Sequence, residues 1–176
     1  LDVRARITGV AEGNPLFVEE MLRVLIDDGL LARDGEGWVP AGDIADVSVP
    51  PTISALLSAR LDRLSEPERT LVEAAAVCGK EFHRGALLEL SSHGGGDLDV
   101  HLRSLIRREL VTPERSLLPG EDAYRFRHLL IRDAAYDAIP KRERADLHQA
   151  FAGWLERVAG ERVVEQEEIL GYHLEQ

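Results

Sequence analysis

The chain has 176 residues, 44% of them hydrophobic, which suffices for one ordinary domain or two small ones with a buried core. Asp and Glu number 32 against 21 Lys and Arg, and the formal charge of −11 repels DNA and acidic membranes unless basic residues are clustered. The single cysteine, Cys78, excludes an intramolecular disulfide; within the apolar run LVEAAAVCG it reads as a small buried residue of a protein in the reducing cytoplasm.

No uninterrupted apolar run reaches membrane length, and Leu1 opens in mid-pattern without Met or a basic leader, so the chain reads as a piece of something longer. In AEGNPLFVEE, Gly13, Asn14 and Pro15 stand directly before an apolar helical run. Asn14 can cap the first free N–H groups, Pro15 suits the first helical position, and Gly13 lets the chain turn sharply. Phe17, Met21, Val24 and Leu25 recur at helical spacing and predict one buried face. Exposed N–H groups at such a helix start also attract anions such as phosphate, so the stretch reads either as an ordinary cap or as a helix end facing a ligand.

The helix runs to about Asp28, where Gly29 can stop it, and LLARDGEGWVP reads as two short strands around DGEG. After the loop AGDIADVSVPP, the stretch PTISALLSARLDRL places Ile53, Leu56, Leu57, Leu61 and Leu64 on one stripe, with Arg60, Asp62 and Arg63 off it. SEPE, from Ser65 to Glu68, matches a capping box and opens a helix that ends at Gly79. A short helix in RGALLEL, a flexible SSHGGGD and a third helix in LDVHLRSLIRREL follow, and VTPERSLLPGEDAYRFR reads as two strands around a Pro/Gly loop. Three helices and then a hairpin is the winged-helix arrangement. HLLIRDAAYDAI is helical, and Pro140 starts another helix in which Leu147, Phe151, Trp154, Leu155 and Val158 form a buried stripe. VVEQEEILGYHLEQ places Ile169, Leu170, His173 and Leu174 at helical spacing, as the start of a third helix and the entrance to a helical repeat array.

The motifs of independent catalysis are missing: there is no GxxxxGK[ST] phosphate loop, no GxSxG elbow and no HExxH. SHGGGD reads as a solvated linker, and His83, His93 and His101 stand at no recognised ligand spacing, which assigns them surface or cap roles and no metal. Arg103, Arg107 and Arg108 lie on the third helix, which in DNA-binding winged helices enters the major groove; Glu109 and the acidic whole weigh against that use and for a solvated face. In RFRHLL, His128 follows a strand, opens a helix and is flanked by Arg125, Arg127 and Arg132. A phosphate placed there could take a hydrogen bond from imidazole and be neutralised by guanidinium; the alternative is a capping or partly buried His beside surface arginines.

The order GNPLFVEEMLRVL, then VPPTISALLSARLDRLSEPERTLVEAAAVCGKEF, then YRFRHLLIRDAAYDAIPKRERADLHQAFAGWLE resembles the region after the nucleotide-binding domain of STAND ATPases. It is most similar to the bacterial proteins that join such an ATPase to a nucleotide cyclase or a LuxR-type DNA-binding domain. The resemblance implies a mainly α chain divided into the end of a helical lid with a short hairpin (residues 1–47), a winged-helix domain (48–128) and a TPR-like entry segment (129–176). It further implies that Gly13, Asn14 and Pro15 form the lid's nucleotide-contacting GxP motif. His128 stands where the related NB-ARC proteins carry the phosphate-sensing His of their MHD motif, although Arg127 and Leu129 depart from its flanks. On this reading ATP or ADP with Mg is the cofactor of the longer protein, and the fragment, lacking the phosphate cradle, neither hydrolyses nor tightly binds it. Its partners would be the upstream ATPase domain and downstream helical repeats of the same chain, with self-association on activation and no membrane. A DNA-binding winged helix, in which Arg103, Arg107, Arg108 and Arg127 meet phosphate, and a structural adaptor remain the rival readings.

Overall fold

The computed structural model describes residues 3–35, 37–42, 44, 47–91, 95–116, 118 and 120–159. Over these it is mainly helical, with two small antiparallel sheets and two compact units, Leu1–Arg63 and Leu64–Gln176.

The first unit begins with a helix that the hydrophobic pattern did not announce, α1 (Val3–Ala11), which buries Ile7 and Ala11. A turn leads into α2 (Pro15–Asp27), whose buried residues include the expected Phe17, Met21, Val24 and Leu25. This helix ends in a Schellman motif: Gly29 N–H donates to Ile26 O and Leu30 N–H to Leu25 O, and Gly29 supplies the left-handed φ of 68° that the motif needs. Strands β1 (Leu31–Asp34) and β2 (Gly37–Pro40) then pair antiparallel, Leu31 opposite Pro40 and Asp34 opposite Gly37, and project an exposed Trp38. Thr52 caps α3 (Ile53–Leu61) by accepting from Ala55 N–H. Helix α3 packs on α2 through Leu56, so the compact unit extends past residue 47 to Arg63. Arg60, expected on the solvent side of α3, is instead buried because it meets the buried Glu20 of α2.

The second unit is built around α4 (Glu66–Cys78). The Glu68 carboxylate accepts from both the N–H and the hydroxyl of Ser65 at 2.9 Å, and the helix ends at Gly79. Strand β3 (Glu81–His83), helix α5 (Arg84–Leu90), helix α6 (Gly95–Arg107) and strands β4 (Val111–Glu114) and β5 (Ala123–Phe126) follow. The sheet order is β3-β5-β4, so the expected hairpin gains a third strand, Phe82 opposite Tyr124. That strand is three residues long, with Phe82 alone buried, and so is too short for its alternation to register, which is why periodicity does not find it. Helix α6 starts at Gly95, inside the stretch read as a flexible linker, with Asp97 in its first turn where the helix dipole favours a carboxylate.

Helices α7 (Leu129–Ala138) and α8 (Lys141–Ala159) complete the unit by packing on α4, where Ala74, Ala75 and Ala76 are fully buried and allow close approach. The buried face of α8 is carried by His148, Phe151, Ala152, Trp154 and Leu155; Val158, expected within it, is exposed and Leu147 is only partly covered. The expected third helix with Ile169, Leu170, His173 and Leu174 lies outside the described residues. Among the described residues no helix is long and apolar enough to cross a membrane.

Candidate functional site

The GNP turn is a short connection between two helices. Glu12 (φ 46°) and Gly13 (φ 84°) are both left-handed, which brings Asn14 N–H back onto Ala11 O at 2.7 Å. The Asn14 side chain then accepts from Leu16 N–H at 3.0 Å, and Pro15 occupies the first turn without a donor to satisfy. Residues 12–15 are exposed on the first unit. The capping chemistry expected of Gly13, Asn14 and Pro15 is therefore made within the chain, with the positive end of α2 at the surface.

His128 sits between β5 and α7 in extended conformation (φ −135°, ψ 143°), where its carbonyl accepts from Ile131 N–H at 3.1 Å. It is half-buried and belongs to the second unit, whereas Gly13, Asn14 and Pro15 belong to the first. The arginines around it in sequence go to separate carboxylates: Arg125 to Glu114 at 3.0 Å, Arg127 to Glu109 at 3.0 Å and Arg132 to Asp133 at 2.8 Å. Arg132 also donates to Ala76 O of α4. A phosphate at His128 would thus compete with existing ion pairs. The two residues after it, Leu129 and Leu130, are exposed.

The arginines of the third helix do not share one face. Arg103 and Arg107 are exposed on α6 beside an exposed Val100, but Arg108 lies past the helix end and turns back to Glu68 of α4 at 3.9 Å. Arg103 lines a cleft of about 470 Å³ between α5, α6 and the start of β5 that sequence reading missed, because its walls are far apart in the chain. Leu88, Leu102 and Ile106 form its apolar part. Arg84 makes a two-pronged contact with Asp99, Nε to Oδ1 at 2.9 Å and Nη2 to Oδ2 at 3.2 Å. This pairing holds the exposed Asp99 carboxyl below the usual carboxylate range. Glu121 accepts from Gly85 N–H at 2.9 Å, and a Cβ at Gly85 would collide with its carboxylate. Burial, with Asp122 and Asp99 nearby, pushes the Tyr124 phenol up. With Asp99, Glu121 and Asp122 beside Arg103, the cleft presents an acidic wall to a DNA phosphate.

His83 stacks on Trp154 with ring centroids 5.7 Å apart, and burial lowers its imidazole pKa. His93 lies outside the described residues, and among those described no group of three or more His, Cys, Asp or Glu side chains could hold a metal ion.

Two buried polar contacts escaped sequence reading. One is Glu20–Arg60; the other is the hydrogen bond between Tyr136 of α7 and the fully buried His148 of α8. A signal for both exists in the spacing: Glu20 stands three residues after Phe17, and His148 three before Phe151, each in phase with its apolar stripe.

No family model matches the chain. It is 30% identical over 149 residues, 84% of its length, to a curated protein of Rhizobium meliloti (strain 1021) described only as uncharacterised. The chain spans 13% of the length of that relative.

Proposed function

We propose that the chain is a non-catalytic regulatory region of a multidomain, ATP-dependent signalling or transcription-regulating ATPase of the STAND type. In this reading the first unit ends a helical lid, α4 to β5 form a winged helix, and α7 and α8 lead into a TPR-like array. The observation that carries it is the element order of the second unit, helix–strand–helix–helix–strand–strand with the first strand beside the last, since a winged helix has that arrangement. The exposed GNP turn at the positive end of α2 supports a nucleotide-facing lid, and the position of His128 between the last strand and the next helix supports the sensing role. The far longer relative supports a multidomain context; an ATPase domain upstream that binds ATP or ADP with Mg, in the cytoplasm, belongs to the same proposal.

Within such a protein, bound ADP holds the lid and winged helix against the ATPase core, and exchange for ATP or a ligand on the repeats releases them for self-association. The amino-acid sequence carries no GxxxxGK[ST] phosphate loop, and this reading assigns catalysis to the upstream domain. A structural adaptor is the second reading, favoured by the pairing of Arg125, Arg127 and Arg132 with carboxylates.

Calorimetric titration of ADP and ATP against this chain and against the chain extended upstream decides between them. Binding only by the extended form, weakened by Pro15→Ala and by His128→Ala, is expected. Nucleotide affinity unchanged by both substitutions would assign the turn to capping alone and leave the adaptor.

A further inference from the structure

The cleft of about 470 Å³ in the second unit has two unlike sides. Leu88 of α5 and Leu102 and Ile106 of α6 supply apolar surface from the helices, while Glu121, Asp122 and Tyr124 line it from β5 and the turn before that strand. Its carboxylates, those of Asp99, Glu121 and Asp122, outnumber its guanidiniums, those of Arg84 and Arg103. Arg84 holds Asp99 in the two-pronged contact, and Arg103 also acts on Asp99, so the excess negative charge lies on the β5 side, at Glu121 and Asp122. His83, which also feels Glu121, is held towards its neutral form by burial. We propose that this cleft binds a small organic cation, an ammonium group carried on an apolar body, with the body against Leu88, Leu102 and Ile106 and the ammonium beside Glu121 and Asp122.

The size of the cleft suits a small molecule, since such sites run from about 300 to about 1,000 Å³ and combine apolar walls with a few convergent polar groups. Its carboxylates are spread along the wall: among the described residues no group of three or more His, Cys, Asp or Glu side chains could hold a metal ion, which selects an extended organic cation over a bare metal. Glu121 is fixed at the edge by the missing side chain of Gly85. Its Oε2 accepts from Gly85 N–H at 2.9 Å, and a Cβ at that position would stand 2.6 to 2.9 Å from the carboxylate atoms. A carboxylate so anchored still has lone pairs for an incoming N–H donor. Burial, Asp122 and Asp99 together push the Tyr124 phenol up, the direction expected where negative charge outweighs the neighbouring Arg84. An anionic ligand meets repulsion on this side, so the site is separate from any nucleotide contact and does not depend on the ATPase reading.

The test is a methyl NMR titration of this chain at neutral pH with phenethylammonium and, as its anionic counterpart of similar shape, hydrocinnamate. Phenethylammonium should produce saturable shifts of the Leu88, Leu102 and Ile106 methyls, with a Kd in the millimolar range expected for so small a ligand, and should bind more weakly as salt is added. Hydrocinnamate should bind several-fold more weakly or not at all. Asp122→Asn removes one charge from an exposed position and should lower the affinity for the cation several-fold. Gly85→Ala, in the first turn of α5 where the glycine backbone is ordinary, should do the same by displacing the Glu121 carboxylate. The methyl spectrum of each free variant shows that the fold is kept. Hydrocinnamate binding as tightly as phenethylammonium, no saturable shift with phenethylammonium, or an affinity unchanged in either folded variant would each overturn the assignment.

Discussion

Glu20 of α2 and Arg60 of α3 form an ion pair sealed from solvent, with side-chain exposures of 0% and 4%. Arg23 brings its Nε within 3.6 Å of the other Glu20 oxygen. Removing Arg60 takes away the nearer cation of a buried carboxylate that Arg23 meets at the longer distance, so Arg60→Ala should destabilise the first unit by about 3 kcal/mol. Replacing both by Leu should recover most of that loss, since a packed apolar pair needs no desolvated charge. Urea denaturation followed by exchange of the α2 amides measures both; a double variant as unstable as the single one would refute the account.

At the GNP turn the two substitutions act by different routes. A Cβ at Gly13 would meet nothing within 4 Å, so Gly13→Ala should cost about 1 kcal/mol through the left-handed backbone alone. Asn14→Ala removes the acceptor for Leu16 N–H and should cost about 1 kcal/mol as a lost cap. Chemical denaturation of this chain reads both losses, so that an effect on the proposed nucleotide binding can be separated from stability.

Helix α6 ends in the same motif as α2, with Glu109 N–H on Ile106 O and Leu110 N–H on Leu105 O, but its left-handed position is held by Glu109 at φ 55°. Glu109→Gly should therefore stabilise the second unit, by about 1 kcal/mol, because the strain of a side chain in that region is removed. The exposed pair with Arg127 is a small loss against it. A fall in the denaturation midpoint would count against this assignment.

Burial alone would raise the Glu68 carboxyl, but hydrogen bonds from Ser104 and Ser65, with Arg108 nearby, outweigh it and hold the group below its ordinary value. Its stabilisation is then present above the unfolded carboxylate value of about 4.3 and is lost as pH falls through the lower folded value. Glu68→Gln should flatten that acid limb of the stability profile. An unchanged limb in the variant would show that other carboxylates carry it.

Elements with strong local chemistry could be read directly from the residues. The Asn14 cap, the Gly29 stop, the two hairpins and the helix from Ser65 to Gly79 rest on interactions between near neighbours. What could not be read was decided across the chain. Arg60 and Glu20 are forty positions apart, and a charged residue in phase with an apolar stripe is buried only if its partner is waiting on another helix. The true stripe of α8 is turned towards His148 and away from Val158 because Tyr136 of α7 receives the imidazole. Strand β3 exists because β5 offers it a free edge. The candidate site was legible as single positions, while the pairing of each arginine with its own carboxylate needed the fold.

Cys78 is enclosed in α4, its Sγ donating to Ala74 O at 3.4 Å, and burial pushes the thiol up out of the range in which it ionises near neutral pH. The native sulfur is thereby shielded from alkylating dyes. An exposed Glu12→Cys in the first unit, combined with an exposed Arg107→Cys in the second, would supply the two accessible attachment points without replacing it. Donor and acceptor fluorophores placed there would turn the chain into a ruler for any change in the spacing of its two units, the proposed nucleotide-driven rearrangement included.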